Sequence, residues 1–213
     1  GAIIGALYQA GYTPEMIMRL IVDNKFYSWT KLLWRNAGLL DMGKVEKLLG
    51  KYLPATFEEL KGPLFVTATD MMRGESVHYN SGNLLKPVCG SAAIPIIFAP
   101  VKYEDRMLLD GGILNNFATE PLTGTCEKII GVHVNHMGLP AAGVGMRDIM
   151  DRAMHLAIQN AVLQKHHLCN VFIEPPDMHR FNAMSLSQAD EMFKTGYDFT
   201  MTKRGELEAS MNQ

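Results

Sequence analysis

Hydrophobic residues recur along this chain with two different periods, and these periods predict an order of helices and strands. Apolar residues three or four positions apart predict helices over Gly1–Gly11, from Pro14 onward and after Asp41. A longer helix is predicted over about residues 146–168. Short β-prone runs predict strands at 64–69, 76–79, 101–103, 106–109, 128–135 and 170–174. Strands separated by helices indicate an α/β layered domain with hairpins at its margin, and we expect one domain over residues 1–213.

Local capping signals fix where several of these helices begin and end. Gly11 is placed to end the first helix, and Thr13 followed by Pro14 is typical of the start of the second. The run Thr56-Phe57-Glu58-Glu59 matches a capping box and predicts a short helix before the strand at 64–69.

Composition and charge exclude several classes of protein. With 213 residues, 47% of them hydrophobic, the chain can bury a sizeable core. A net charge of −2 with no run of Lys or Arg provides no basic surface for nucleic acid. The cysteines are three, far apart and without CxxC spacing, which argues against a zinc site or a disulfide framework and favours a reducing compartment. No uninterrupted apolar run is long enough to cross a bilayer.

The stretch Leu108-Leu109-Asp110-Gly111-Gly112-Ile113-Leu114-Asn115-Asn116 is the strongest candidate for chemistry. An apolar run delivers the Asp110 carboxylate to the end of a predicted strand, and two glycines then let the backbone turn close beside it. On these residues alone an ordinary Asp-Gly-Gly turn is the favoured explanation.

Aromatic and basic residues mix with leucines over residues 24–40, which include Phe26, Trp29 and Trp34. This mixture suits transient contact with a membrane surface, or a lid, and ordinary core packing remains the alternative. Likewise, the fifteen methionines suit an adaptable acyl-chain pocket, although core filling accounts for most of them.

The histidines do not display convergent metal ligands. His133 and His136 flank a predicted strand end, and His166-His167 ends a predicted helix, where surface placement or helix-end stabilisation explains them. No metal site is therefore expected.

Several segments together, in order along the whole chain, resemble the patatin-like phospholipases. These segments are Gly1-Ala-Ile-Ile-Gly-Ala-Leu-Tyr-Gln-Ala-Gly-Tyr-Thr-Pro, Thr56-Phe-Glu-Glu-Leu, Ala68-Thr-Asp-Met-Met-Arg-Gly-Glu, Ser91-Ala-Ala-Ile-Pro-Ile-Ile-Phe-Ala-Pro-Val, Leu109-Asp-Gly-Gly-Ile-Leu-Asn-Asn and Val171-Phe-Ile-Glu-Pro. The resemblance implies a layered α/β fold with a central, mostly parallel sheet flanked by helices. It also implies a lipid acyl hydrolase that uses a Ser–Asp dyad and no cofactor.

By this resemblance Asp110 is the catalytic aspartate. Gly1 matches the last glycine of the Gly-x-Ser-x-Gly elbow, so the nucleophilic serine is expected two residues before Gly1, in a domain truncated at its N-terminal end. Gly1, Gly111 and Gly112 are expected to form the backbone of the active site.

The resemblance assigns supporting roles to further residues. Asn115 and Asn116 are expected to support the turn by hydrogen bonds, and Ala118 replaces a proline found in many relatives. Ser91 lacks a glycine two positions before it, and is expected to be structural.

The expected reaction is cleavage of carboxylic esters of phospholipids or related acyl lipids through an acyl-enzyme. A dry pocket would raise the pKa of Asp110 and make it a stronger base for the serine hydroxyl. The protein is expected in the cytoplasm or at a membrane surface. The alternative is an inactive fragment or pseudoenzyme that binds a lipid or a partner, and the residues before Gly1 distinguish the two.

Overall fold

The computed structural model describes residues 1–23, 40–95, 97–136, 156, 159, 162–181 and 186–212. The chain forms two compact units, Gly1–Asn115 and Asn116–Gln213. That all 213 residues form one domain remains a prediction. The predicted helix at 146–168 and the aromatic segment at 24–40 fall mostly outside the described residues.

The first unit combines helices with a hairpin-built sheet. Its α-helices are α1 (Ala2–Gln9), α2 (Pro14–Asp23), α3 (Gly43–Leu49), α4 (Leu85–Ser91) and α5 (Gly112–Asn115). Its strands are β1 (Val66–Asp70), β2 (Glu75–Tyr79), β3 (Val101–Tyr103) and β4 (Arg106–Asp110). A 3-10 helix, Phe57–Glu59, precedes β1.

The predicted caps define the helix ends. Gly11, just after α1, has a φ of +99°, a conformation that glycine adopts without steric cost. The N–H of Met16 donates to Thr13 Oγ1 at 3.3 Å in the first turn of α2. Thr56 and Glu59 form the predicted capping box, and the Thr56 N–H donates to Glu59 Oε2 at 2.9 Å. These three sequence predictions are confirmed.

The four strands of the first unit pair antiparallel in the order β2-β1-β4-β3. The α/β class is confirmed, but the expected predominance of parallel pairing is not what the described strands show. The connections explain the difference, because β1 reaches β2 through residues 71–74 and β3 reaches β4 through residues 104–105. Links this short permit only antiparallel hairpins, since a parallel connection needs about a dozen residues.

The core of the first unit lies between the sheet and the helices. Ala6 and Leu7 of α1, Leu49 of α3 and Val88 of α4 are all at most 1% exposed and belong to one cluster of buried side chains. Gly90 permits close packing of α4 on β4, because a Cβ there would lie 2.6 Å from the Leu108 Cβ. This packing fixes the strand that ends at Asp110.

The second unit contains a parallel pair of strands and two C-terminal helices. β5 (Ile130–Val132) pairs parallel with β6 (Val171–Ile173). The helices are α6 (Ala189–Thr202) and α7 (Arg204–Met211), with 3-10 turns at His166–Leu168, Pro176–Arg180 and Leu186–Gln188. Both strands were predicted from the sequence.

A buried carboxylate joins the two hairpin turns of the first unit. The Asp70 side chain is fully buried and pairs with Arg73 at 2.9 Å and with Arg106 at 3.1 Å. Arg73 also pairs with Asp105, and Arg106 with Glu75. The β1–β2 and β3–β4 turns are therefore tied together through one carboxylate.

Replacing Asp70 with Asn should lower the melting temperature, because both arginines would lose a buried charged partner. The hydrogen bond from Arg73 holds the pKa of Asp70 below its usual value of 3.8. The stability that this group contributes is therefore present above pH about 4 and is lost as pH falls through the lower folded pKa. Thermal melts of wild type and Asp70→Asn, from neutral pH down to below pH about 4, measure the difference in melting temperature. Equal melting temperatures at neutral pH would contradict the prediction. Glu75→Gln removes a half-exposed partner of Arg106 and is the control with a smaller expected loss.

Candidate active site

Asp110 is the last residue of β4, and its backbone is held by two other segments. It lies opposite Ala68 in the β1–β4 ladder. Its N–H donates to the carbonyl oxygen of Ala93 at 3.1 Å, and its own carbonyl oxygen accepts the hydroxyl of Thr69 at 2.9 Å. The direction in which the Asp110 side chain leaves the sheet is therefore fixed by contacts outside the Asp-Gly-Gly motif.

Gly111 is required by sterics. A Cβ at this position would lie 2.2 Å from the carbonyl oxygen of Thr67 and 2.8 Å from its carbonyl carbon. Because both are backbone atoms of β1, no side-chain rotation relieves the clash. Gly111 therefore lets the chain turn directly against β1 after the carboxylate.

Gly112 orients the carboxylate through its backbone. The N–H of Gly112 donates to Asp110 Oδ1 at 2.8 Å, an Asx-type turn at the start of α5. The N–H of Asn115 then donates to the carbonyl oxygen of Gly111 at 2.9 Å. One Asp110 oxygen is thus held by the turn. That the two glycines form the backbone of an active site remains a prediction.

Burial sets the electrostatics of Asp110. Loss of solvent raises the pKa of this carboxyl above its usual value of 3.8. The hydrogen bond from the Gly112 N–H opposes that rise. A carboxylate with a raised pKa is a stronger base than one in water.

The start of α1 lies within electrostatic range of Asp110. The backbone nitrogen of Gly1 lies close enough to the Asp110 carboxylate to interact with it electrostatically. The carbonyl oxygen of Gly1 accepts the N–H of Gly5 at 2.8 Å, the first hydrogen bond of the helix. A Cβ at Gly5 would lie 3.1 Å from Leu64 Cδ1, so this end of α1 packs against the segment that enters β1. The structure therefore brings together two of the elements that the sequence places at the site.

The two asparagines after the motif differ in exposure. Asn115 ends α5 and is 8% exposed, whereas Asn116 is partly exposed. That they support the turn by hydrogen bonds remains a prediction. Ser91 is the last residue of α4, two positions before the Ala93 carbonyl that holds Asp110. That it is structural remains a prediction.

Sequence reasoning missed Thr69 as a residue that positions Asp110. The segment Ala68-Thr69-Asp70 carried the family resemblance, but only strand pairing shows that the Thr69 hydroxyl meets the Asp110 carbonyl. An inward-facing threonine in a β-prone run was the available signal.

A second polar group lies at the carboxyl ends of β5 and β6. His133 is 4% exposed, and its Nδ1 lies 2.8 Å from Glu174 Oε1, an oxygen that is also 3.5 Å from His136 Nδ1. The Nε2 of His133 is buried without a hydrogen-bond partner. Within the described ranges no three His, Cys, Asp or Glu side chains converge as metal ligands.

Comparison with known proteins decides the family. The family model described as patatin-like phospholipase matches residues 1–123, which is more than half of the chain and includes Asp110. The chain belongs to the patatin-like phospholipase family.

Curated relatives of this patatin-like chain include two uncharacterized NTE family proteins of Mycobacterium tuberculosis. One is 30% identical over 149 residues, covering 63% of this chain and 39% of the relative. The other is 24% identical over 194 residues, covering 78% of this chain and 33% of the relative. Proteins of Mycobacterium bovis match to the same extent. The patatin-like chain thus spans two fifths or less of the length of these relatives.

No helix in the described part of the patatin-like chain is long and apolar enough to span a membrane. Phe26, Trp29 and Trp34 lie outside the described residues, so their contact with a membrane surface remains a prediction.

Proposed function

We propose that this protein is a lipid acyl hydrolase in which Asp110 is the base of a Ser–Asp dyad. Membership of the patatin-like phospholipase family supports lipid hydrolysis at the level of the family. One observation supports the role of Asp110 as the base. Its carboxylate is largely removed from solvent, is oriented by the Gly112 N–H, and lies beside the start of α1.

The proposed nucleophile is a serine two positions before Gly1, just ahead of α1. A serine hydroxyl is a weak nucleophile until a positioned base accepts its proton. In the proposed mechanism Asp110 accepts that proton as the serine oxygen attacks the ester carbonyl carbon. The tetrahedral intermediate then collapses, Asp110 gives that proton to the departing alcohol, and an acyl-enzyme remains.

Deacylation repeats the same steps with water. Asp110 takes a proton from a water molecule as the water oxygen attacks the acyl carbonyl carbon. Asp110 then returns a proton to the serine oxygen as the fatty acid leaves. Backbone N–H groups near the start of α1 stabilise the developing oxyanion, since a helix N-terminus favours negative charge. The reaction needs no cofactor, and we propose that it takes place at a membrane or micelle surface.

An intact-mass measurement of the full-length protein before and after exposure to a fluorophosphonate tests this proposal. We expect a single covalent adduct. It should be absent when the serine before Gly1 is replaced by alanine, and it should form more slowly in Asp110→Asn. A polypeptide of 23.7 kDa that gains no adduct would contradict the proposal. It would favour an inactive protein that binds a lipid or a partner.

A further inference from the structure

The outward side of α5 is apolar directly beside the candidate base. Ile113 is 38% exposed and Leu114 is 46% exposed, whereas Asn115 of the same turn is buried. Exposed apolar side chains are ordinary when they are scattered singly over a surface. Here two adjacent ones follow Asp110 by three and four residues, and neither of the other two residues of α5 is charged.

This turn is held rigidly relative to the carboxylate. Gly112 donates its N–H to Asp110 Oδ1, and Gly111 packs directly on the Thr67 backbone. Ile113 and Leu114 therefore keep a fixed position relative to any group that reacts at Asp110.

Neighbouring segments extend the apolar character. Phe65, two residues before Thr67, is 37% exposed. Ile4 precedes the glycine of α1 that packs on Leu64, and is 46% exposed. The turn after Asp110, the segment that enters β1 and the first turn of α1 thus each present an exposed apolar side chain.

The opposite end of β1 is charged, whereas the end near Phe65 is apolar. The ion pairs of Asp70 with Arg73 and Arg106 lie there, together with those of Glu75 and Asp105. An apolar chain attached to an ester at Asp110 would therefore meet apolar side chains toward Phe65 and α5, and charges toward Arg106.

We propose that Ile113 and Leu114 contact the acyl chain of the ester substrate and set a preference for long chains. This inference rests on the proposed function, because it places the ester carbonyl at Asp110. Two observations indicate that an acyl chain covers Ile113 and Leu114: the family is one of phospholipases, and both side chains lie beside the proposed base.

The test compares two soluble esters in the full-length protein, at concentrations below micelle formation. We expect Ile113→Ser/Leu114→Ser to reduce kcat/KM for p-nitrophenyl decanoate about tenfold or more, as when roughly two methylene groups lose apolar contact. The value for p-nitrophenyl acetate should stay within about twofold, since its chain is too short to reach these residues. Met72→Ser, at a 70% exposed methionine beyond Asp70, is the matched control and should change neither value.

A binding measurement separates this inference from the proposed function. Dansylaminoundecanoic acid should bind the wild type and Met72→Ser equally, and bind Ile113→Ser/Leu114→Ser at least about tenfold more weakly. Unchanged decanoate kinetics and unchanged probe binding in the double variant would overturn the acyl contact and indicate that another segment covers this surface. An equal loss on both esters would overturn the chain-length role. If the wild type cleaves neither ester, the hydrolase proposal fails, and probe binding alone then decides whether the apolar surface holds an acyl chain.

Discussion

Asp110→Asn is expected to reduce ester hydrolysis by roughly 10²–10⁴-fold, the usual contribution of a positioned general base. The amide has the size and the acceptor oxygen needed to keep the hydrogen bond from Gly112, so the turn should persist. It cannot take the proton of a serine or of water. Steady-state rates on a soluble ester measure the loss, and circular dichroism checks the fold. Retained activity would remove Asp110 from the mechanism.

The same substitution is expected to raise the melting temperature at neutral pH. Burial raises the pKa of Asp110 in the folded state, so its ionisation opposes folding. The stability linked to this group is present below its unfolded pKa of about 3.8 and is lost as pH rises through the higher folded value. The amide of the variant does not ionise, and its advantage should therefore disappear in acid.

An exposed aspartate whose pKa is lowered serves as the control for the expected rise in melting temperature. Asp105 is exposed and pairs with Arg73, which lowers its pKa. Asp105→Asn should therefore not raise the melting temperature and should leave activity unchanged. A lower melting temperature for Asp110→Asn than for wild type at neutral pH would show that the carboxylate stabilises the fold.

Gly111→Ala is the second substitution with a large expected effect. Its Cβ would lie 2.2 Å from the Thr67 carbonyl oxygen, so β1 or the turn after Asp110 must move. We expect a loss of about 1–3 kcal/mol or more in the free energy of unfolding. A chain of this size then melts about 2–4 °C lower for each kcal/mol. Activity should fall as well, because the same movement displaces the carboxylate.

Gly196→Ala provides the matched control. Gly196 lies inside α6, and a Cβ there would meet nothing within 4 Å. Alanine in a helix interior should raise stability by about 0.5–1 kcal/mol. Chemical denaturation of both variants measures the contrast, and a Gly111→Ala protein as stable as wild type would contradict the steric argument.

Local signals in the sequence predicted much of the secondary structure. The box at Thr56 and Glu59 and the β-prone runs of β1 and β6 depend on neighbouring residues, so each could be identified without the fold. The expected parallel pairing came from the family resemblance. The two- and four-residue links between strands were visible in the sequence and argued for hairpins.

Long-range contacts of the site could not be predicted. The sequence identified Asp110 and its two glycines, but Thr69 and Ala93 hold the Asp110 backbone from positions 41 and 17 residues earlier in the sequence. The pairing of His133 with Glu174 likewise depends on the register of β5 against β6. A single sequence carries no record of such register.

The position of the Asp110 carboxylate and the apolar surface beside it depend on different residues, so each can be changed without the other. Its backbone is anchored by Ala93 and Thr69, whereas the side chains of Ile113 and Leu114 take no part in that anchoring. Libraries randomised at these two positions can therefore test the proposed acyl contact without displacing Asp110. Residue 111 should stay fixed as glycine in any such library, since the backbone of β1 leaves no room for a side chain there.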